Sequence, residues 1–411
     1  MIRRRKPRFY PGEFSDILRL LLSGGFLKGP CVGQFEKEVA GYIGCKHAAA
    51  TCSGRNGLDL ILDAYGIGPG DEVLVPAYTL KDLILLLRSK GIVPRLVDIE
   101  SDSFNIDPAK LEERRTPKTK AVLATHLFGS ACRIQEVVRF ARAHGLVVIE
   151  DCAHGLGAET GGKKVGAFGD AGFLSFELIK PVNTFGGGMV VTDDPRVHAF
   201  VKAKTAGYPL GGRGLALKMA VDLFEHALIS SPLFPPLMRL FANPLAAKAL
   251  SRIYLSLQSQ TRLEYSRYAN VQAQLGLAQM KVLDQRNDIR ISAAHEISER
   301  LHQGILPQAV APGDRHIYYF YVAKIPSGLD LEQVRDQLRR KGVDAGIRFE
   351  ITDDCTLLVG SEADCPTTKE VSRRAIQLPI YDGLDSVGIG LIARALNAAC
   401  AECLPVISSP S

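Results

Sequence analysis

Short apolar runs alternate with helix-like segments between residues 48 and 149, and this alternation constrains the fold most. The predicted strands are Ala48–Cys52, Glu72–Val75, Val93–Val97, Ala121–His126 and Leu146–Ile149. The predicted helices between them lie near residues 82–88, 108–114 and 134–144. Apolar strands separated by helices favour a parallel sheet that is covered on both faces. The sequence therefore predicts an α/β fold, a large domain whose mostly parallel sheet is flanked by helices.

The chain length allows a second, smaller domain. With 411 residues, one large core and one smaller core can both be buried. An apolar segment at His316–Ile325, a helix near residues 331–341 and a strand near residues 375–381 predict an α+β domain. We expect a large domain over residues 1–290 and a small domain over residues 291–411.

Charge and cysteine usage narrow the class of protein. The net charge of +6 comes from scattered lysines and arginines, and the basic run Arg3–Lys6 is too short to predict nucleic-acid binding. Prolines and acidic residues interrupt the segment after this run, so a signal peptide is not expected. Nine cysteines without a repeating spacing indicate reduced thiols, and Cys400 and Cys403 lack the further ligands of a metal site. We expect a cytoplasmic protein without a metal.

The stretch from Val147 to Gly188 carries the residues that point to chemistry. One predicted strand ends at Glu150-Asp151, a second ends near Ser175, and Lys180 follows before three glycines. An amine can form a Schiff base with an aldehyde, a carboxylate can keep a pyridine nitrogen protonated, and a hydroxyl can bind phosphate. Alone, such an aspartate is more often a cap, and such a lysine a solvated turn. Their combination predicts a pyridoxal 5'-phosphate site.

These motifs carry a family resemblance. The segments Glu150–His154 (EDCAH), Ser175–Lys180 (SFELIK) and Gly187–Thr192 (GGMVVT) are similar to the motifs E-D-A-A-H/Q, S-F-x-x-x-K and M-V-V-T. This pattern resembles the DegT/StrS-type pyridoxal-phosphate-dependent sugar aminotransferases of the aspartate aminotransferase-like fold type I. The likeness extends from about Phe14 to about Leu396.

The resemblance implies roles for individual residues. Lys180 would carry the cofactor and then move a proton, Asp151 would face the pyridine nitrogen, and His154 would lie near the ring or its phenolic oxygen. A lysine at position 180 favours amino transfer, because some relatives with a histidine there are dehydratases. The implied reaction takes an amino group from a donor such as glutamate and gives it to a ketone, on a nucleotide-linked sugar.

A phosphate site is predicted at the turn Ser53-Gly54-Arg55-Asn56, where a strand leads into a helix. Backbone N–H groups at a helix start are open to an anion. The family has S-G-T-x-A-L here, and Ser175 would add a hydroxyl. Arg55 replaces the threonine, so either its guanidinium binds the phosphate or it points outward and the amides bind.

Other positions depart from the family pattern. Leu80 stands where relatives carry an aromatic residue on the cofactor ring, so either Tyr78 supplies that ring or Leu80 covers the cofactor. Arg267 matches an arginine that reaches the partner's active site in relatives, while Tyr265 replaces an asparagine. The resemblance thus implies a homodimer with a shared active site. Arg348-Phe349 replaces a histidine-tyrosine motif, which indicates an altered substrate side.

Residues 208–262 form an insertion relative to the family. Its first part has an apolar face that includes Leu217, Val221 and Phe224, and a proline-rich apolar segment, Ser231–Phe241, follows. One interpretation is a helical elaboration packed on the body or at a dimer contact. The other is a surface over residues 215–245 that touches a membrane or grips a lipid-like substrate. Two further alternatives follow for function: an aminotransferase acting on a lipid-linked or membrane-proximal ketone, and a cofactor-binding regulator with little turnover.

Overall fold

The computed structural model describes residues 1–4, 9–10, 12–231, 265–346, 353–359 and 364–403. Its strands are β1 His47–Thr51, β2 Glu72–Pro76, β3 Tyr78–Thr79, β4 Val93–Val97, β5 Thr119–Thr125, β6 Val147–Asp151, β7 Glu159–Thr160, β8 Lys163–Lys164, β9 Ala171–Ser175, β10 Gly188–Thr192, β11 Leu306–Pro307, β12 Tyr321–Lys324, β13 Asp353–Asp354 and β14 Ala375–Leu378. Its α-helices are α1 Glu13–Leu22, α2 Cys31–Ile43, α3 Gly54–Ala64, α4 Lys81–Ser89, α5 Leu111–Arg114, α6 Ile134–Ala143, α7 Pro195–Ala206, α8 Gly212–Ser230, α9 Asn270–Met280, α10 Leu283–Glu299, α11 Leu331–Arg340, α12 Thr356–Val359, α13 Pro366–Arg374 and α14 Ser386–Cys403.

The central sheet has seven strands in the order β1-β10-β9-β6-β5-β2-β4. All its neighbouring pairs are parallel except the two that involve β10, which runs antiparallel to β9 and to β1. Helices α4, α5 and α6 separate β2, β4, β5 and β6 along the chain, as parallel pairing requires. The parallel pair β6-β9 is instead joined by a connection that contains the short hairpin β7-β8. The predicted α/β fold with a mostly parallel sheet is confirmed.

Both faces of this sheet are covered, as the apolar strands predicted. Val73 and Val75 of β2 pack in a core with residues of α3 and α4. Leu74 between them packs on the opposite face in a core that includes residues of α6. Successive strand residues thus enter different cores, which is why these strands lack a polar face.

A second core forms around the three-stranded sheet β11-β12-β14. Apolar residues of α10, α11 and α14 pack there against β12 and β14. The helix α14 is long and apolar enough to cross a membrane, but half of it is buried, as in the core helix of a soluble protein. The predicted boundary at residue 290 falls inside α10, and the division into two domains stays a prediction.

The insertion is described only in part. Its helix α8 packs on the body, because Leu215 and Met219 lie in a core with Phe26, Phe185 and Val271. Residues 232–264, which hold most of the proline-rich segment, lie outside the described residues. Arg348-Phe349 also lies outside them.

Candidate active site

Asp151 lies at the carboxyl end of β6, beside the end of β5, with Thr125 as its register partner. Its side chain is buried, and Oδ1 accepts a hydrogen bond from the Ala153 amide at 3.0 Å. Burial raises the pKa of Asp151, while the charge of Lys180 is the leading side-chain charge that opposes this rise. The structure thus brings this carboxylate and this lysine to one edge of the sheet.

Lys180 sits in a tight turn after β9. Its amide donates to the Glu177 carbonyl at 2.8 Å, and its Nζ lies 4.8 Å from the centroid of the Tyr319 ring. The glycines Gly186, Gly187 and Gly188 connect this turn to β10. Gly187 has a φ of 99°, and a Cβ there would lie 2.2 Å from the Tyr268 ring. Glycine is therefore required at this position both by conformation and by space.

His154 lies among aromatic rings. Its ring stacks on Tyr319 with centroids 4.4 Å apart, and its Nδ1 accepts a hydrogen bond from the Phe128 amide at 3.4 Å. Burial, with the charge of Lys180, keeps the pKa of His154 well below its usual range. The imidazole is therefore neutral at physiological pH.

Glu150, the neighbour of Asp151, is buried in a hydrogen-bond network. Its carboxylate accepts the amides of Gly166, Phe168 and Gly169 at 2.6–2.8 Å, and Oε2 lies 3.0 Å from His126 Nε2. Burial alone would raise the pKa of Glu150, but these hydrogen bonds hold it below its usual value. His126, Glu150 and Cys152 could by distance hold a metal ion. The bonds to Glu150 indicate instead that it anchors the loop of residues 166–169.

The predicted phosphate turn is built as a helix start. Ser53 caps α3, with its Oγ accepting the Asn56 amide at 3.1 Å. A Cβ on Gly188 would lie 2.5 Å from the Gly54 nitrogen, and a Cβ on Gly54 would lie 3.2 Å from the Cβ of Ser175. The two glycines thus let the turn approach β9 and β10 closely and bring Ser53, Gly54 and Ser175 together.

Arg55 points away from this turn. Its Nη1 lies 2.7 Å from Asp82 Oδ2, near the start of α4. Of the two interpretations left open by the sequence, the structure corresponds to the outward one. Asn56 remains at the turn, and its Nδ2 donates to the Tyr208 hydroxyl at 3.2 Å.

Tyr78 and Leu80 lie in different surroundings. Tyr78 is buried in an aromatic core with Phe128 and Tyr319, at an edge-on centroid distance of 6.3 Å from Phe128. Leu80 is 36% exposed at the start of α4. Neither Tyr78 nor Leu80 stacks on the His154 ring. The residue that stacks on it is Tyr319.

Tyr265 and Arg267 meet Tyr208 beside the phosphate turn. The rings of Tyr208 and Tyr265 lie 5.6 Å apart, and Arg267 Nε donates to the Tyr208 carbonyl at 2.9 Å. Arg267 also donates to the Ala206 carbonyl. Sequence reasoning missed both Tyr208 and Tyr319. Tyr208 follows a helix without any motif. Tyr319 lies in the aromatic run Tyr318–Tyr321, which the sequence assigned only to the small α+β domain.

Fold and site together define the class: the protein is an aminotransferase with the layered fold of pyridoxal-phosphate enzymes. The family is shown by sequence. The model of the DegT/DnrJ/EryC1/StrS aminotransferase family matches residues 11–207 and 258–397, and the chain belongs to this family. The unmatched residues 208–257 correspond to the predicted insertion. Membership of this family favours the enzyme over a regulator with little turnover.

The names of similar proteins refer to sugars and polysaccharides. The chain is 30% identical to GDP-perosamine synthase from Caulobacter vibrioides, over 90% of each chain. It is 29% identical to the spore coat polysaccharide biosynthesis protein SpsC from Bacillus subtilis, over 94% of this chain and 93% of SpsC. A solved structure of DesI in the presence of its TDP-sugar product is 26% identical, with a TM-score of 0.75 and coverage of 96% of this chain and 92% of DesI.

Proposed function

We propose that the protein transfers an amino group from an amino-acid donor, such as glutamate, to a ketone on a nucleotide-linked sugar. The observation that carries the proposal is the position of Asp151, which is buried at the carboxyl end of β6, with Lys180 near enough for its charge to act on that carboxylate. The substrate class is supported by the relatives, since one is named for a GDP-linked sugar and another was solved with a TDP-linked sugar.

The residues at this edge fit pyridoxal 5'-phosphate. Thr125 Oγ1, beside Asp151, is buried and has no hydrogen-bond partner among the described residues, as expected where a polar ligand belongs. The turn at Ser53 and Gly54, with Ser175, would hold the phosphate. When bound, the cofactor supplies an aldehyde that bonds amines and a ring that takes up an electron pair.

The side chains then have separate tasks. The Lys180 amine would bond the cofactor. After the donor amine has displaced it, the free Lys180 amine would move a proton at the donor's α-carbon. Asp151 would stabilise the protonated ring nitrogen, and the positive charge of that nitrogen would offset the burial of the carboxylate. His154 is neutral, so it can donate a hydrogen bond to the cofactor's phenolic oxygen without placing a second cation beside Lys180.

The proposal is tested in two half-reactions. The purified protein, saturated with pyridoxal phosphate, should lose its visible absorbance when glutamate is added. Adding a nucleotide-linked keto sugar should restore the absorbance and yield an amino sugar detectable by mass spectrometry. If no amino acid changes the absorbance, amino transfer is refuted. If glutamate acts but GDP-, dTDP- and UDP-linked keto sugars all fail, the substrate class is wrong.

A homodimer with a shared active site is the assembly we propose. Helix α1 exposes an apolar stripe made of Phe14, Leu18, Leu21 and Leu22, which is unusual on a monomeric surface. Leu18→Asp together with Leu22→Asp should convert a dimer to a monomer in light scattering. A monomeric unaltered protein at micromolar concentration would contradict the assembly.

Membrane contact through residues 215–245 is a second candidate, because Phe224 of α8 is 70% exposed. We propose that the enzyme is cytoplasmic, and that in the alternative it also makes peripheral contact with the inner face of the membrane. Liposome flotation should bring the protein to the lipid fraction, and Phe224→Ser should reduce that fraction. An unaltered protein that stays entirely with the soluble fraction would remove the membrane interpretation and with it the lipid-linked ketone.

A further inference from the structure

A small cavity lies beside Lys180, between the Lys180–Asn183 turn, helix α10 and the segment after β14. Its volume is about 70 Å³. Its lining is Arg4, Leu178, Ile179, Lys180, Pro181, Asn183, Gln279, Arg286, Arg290, Tyr319, Phe320, Ile380, Tyr381 and Asp382. Lys180, the lysine of the proposed reaction, therefore lies around the same cavity as several hydrogen-bond donors.

Two buried donors in this lining have no partner among the described residues: Arg290 Nε and Asn183 Nδ2. Each of these side chains also has one group that is bonded. Asn183 Oδ1 accepts the Phe185 amide at 2.9 Å, and Arg290 Nη2 donates to Asn287 Oδ1. Because buried donors are nearly always paired in folded proteins, two unpaired ones around one cavity indicate a ligand that accepts hydrogen bonds.

The charges of the lining favour an anion. Its cations are Arg4, Lys180, Arg286 and Arg290, and its one acidic residue among the described residues is Asp382. Arg4 pairs with Asp344 at 3.1 Å, outside the lining. Asp382 pairs with Arg286 at 3.4 Å. Burial lowers the pKa of Arg290 to about 10, Asp382 opposes this, and the charge of Arg286 adds to it. Arg290 thus remains protonated at neutral pH, and Asp382, the acidic residue of the lining, also pairs with Arg286.

The size of the cavity limits the anion. A cavity of about 150 Å³ holds a benzene molecule, so about 70 Å³ has room for a carboxylate and not for a sugar or nucleotide. The lining shares no residue with the Ser53–Asn56 turn, where the cofactor phosphate is expected. A donor amine that replaces the Lys180 amine has its α-carboxylate two bonds away. Because Lys180 lines the cavity, the cavity lies within reach of that carboxylate.

We propose that this cavity binds the α-carboxylate of the amino donor, with Arg290 and Asn183 as the residues that position it. This inference rests on the proposed amino transfer and names the residues that recognise its donor. A planar arginine and an amide together match the two oxygens of a carboxylate.

The test measures binding without turnover. Glutarate, which is glutamate without its amine, is titrated calorimetrically into the full-length protein, with and without pyridoxal phosphate, and the uncharged glutaramide serves as the comparison ligand. Asn183→Asp is the sharpest variant, because it keeps the oxygen that accepts the Phe185 amide and replaces the unpaired donor by a negative charge. Arg290→Gln removes the other donor, Arg290→Lys restores its charge, and Arg142→Gln changes an exposed arginine on α6 as a control.

We expect glutarate to bind and glutaramide not to bind. Asn183→Asp and Arg290→Gln should each weaken glutarate binding by about ten- to a hundred-fold, the usual effect of losing a charged hydrogen bond. Arg290→Lys should recover part of the affinity, and Arg142→Gln should match the unaltered protein. In the first half-reaction, the two weakening variants should raise the glutamate concentration for half-conversion more than they slow the saturated rate. If the two residues had a purely structural role, the variants would have a lower melting temperature, and the glutamate concentration for half-conversion would not change more than the saturated rate.

Three results would overturn the inference. They are equal glutarate affinity in Asn183→Asp, binding of glutaramide as tight as that of glutarate, and displacement of glutarate by inorganic phosphate at equal concentration. If glutarate binds as expected and no amino acid changes the absorbance, the carboxylate site stands and the proposed amino transfer fails. If glutamate reacts but substitutions of Asn183 and Arg290 leave the glutarate affinity unchanged, the proposed amino transfer stands and the carboxylate site fails.

Discussion

Replacing Gly188 by alanine tests whether close backbone approach forms the phosphate turn. The added Cβ would lie 2.5 Å from the Gly54 nitrogen and the Ser53 carbonyl carbon, and 2.6 Å from the Leu174 carbonyl oxygen. All three atoms belong to the backbone, so no side chain can rotate away. Overpacking of a core costs about 1–3 kcal/mol, and we expect the upper end here. The melting temperature should fall by about 6–12 °C, since 1 kcal/mol corresponds to about 2–4 °C in a domain of some 200 residues.

The same substitution at Gly41 is the matched control. Gly41 lies inside α2, is exposed, and would place its Cβ in open space. Gly41→Ala should therefore stabilise the protein by about 0.5–1 kcal/mol. Differential scanning calorimetry measures both changes, and a cofactor titration should show at least ten-fold weaker binding for Gly188→Ala alone. Unchanged cofactor affinity in Gly188→Ala would refute the proposed turn, and a similar melting temperature for both variants would refute the packing argument.

Three further predictions concern other contacts. Arg55→Ala should change cofactor affinity less than three-fold and cost under about 1 kcal/mol in urea unfolding, because Arg55 pairs with Asp82 on the surface; a large loss of cofactor affinity would favour phosphate binding by Arg55. Burial raises the pKa of Asp98, but hydrogen bonds from Lys110 and Thr368 hold it at about 2, so its stabilising contribution is present above about pH 4 and is lost as the pH falls towards 2. Asp98→Asn should flatten this acid limb in a pH series of melting temperatures, and an unchanged limb would contradict the assignment. Glu150→Gln should destabilise by about 2 kcal/mol or more, since the loop amides and His126 lose a charged acceptor; calorimetry that gives less than 0.5 kcal/mol would contradict the anchoring role.

The fold was accessible from sequence because its signals are local. Apolar runs of four to six residues separated by helical segments predicted the central strands β2, β4, β5 and β6. The same logic brought Asp151 to an edge of the sheet and Ser175 to the end of β9, because parallel strands end on the same side. Strand β10 was not assigned a direction, since nothing in its sequence marks it as antiparallel.

Contacts between distant segments could not be predicted in this way. The partner of Arg55 lies 27 residues away on the next helix, and sequence reasoning left its orientation open. The stacking of Tyr319 on His154 joins residues that lie far apart in the sequence. The cavity beside Lys180 needs Asn183, Arg290 and Asp382 to converge from three segments. Such convergence depends on how the layers pack, and no local period encodes it.

The most direct test of the account asks which amine bonds the cofactor. The protein is incubated with pyridoxal phosphate, reduced with borohydride, digested and analysed by mass spectrometry, with Lys180→Ala treated in parallel. We predict one cofactor-labelled peptide that carries the label on Lys180, and no such peptide from the variant. A label on another lysine in the unaltered protein, or equal labelling of Lys180→Ala, would contradict the central role of Lys180.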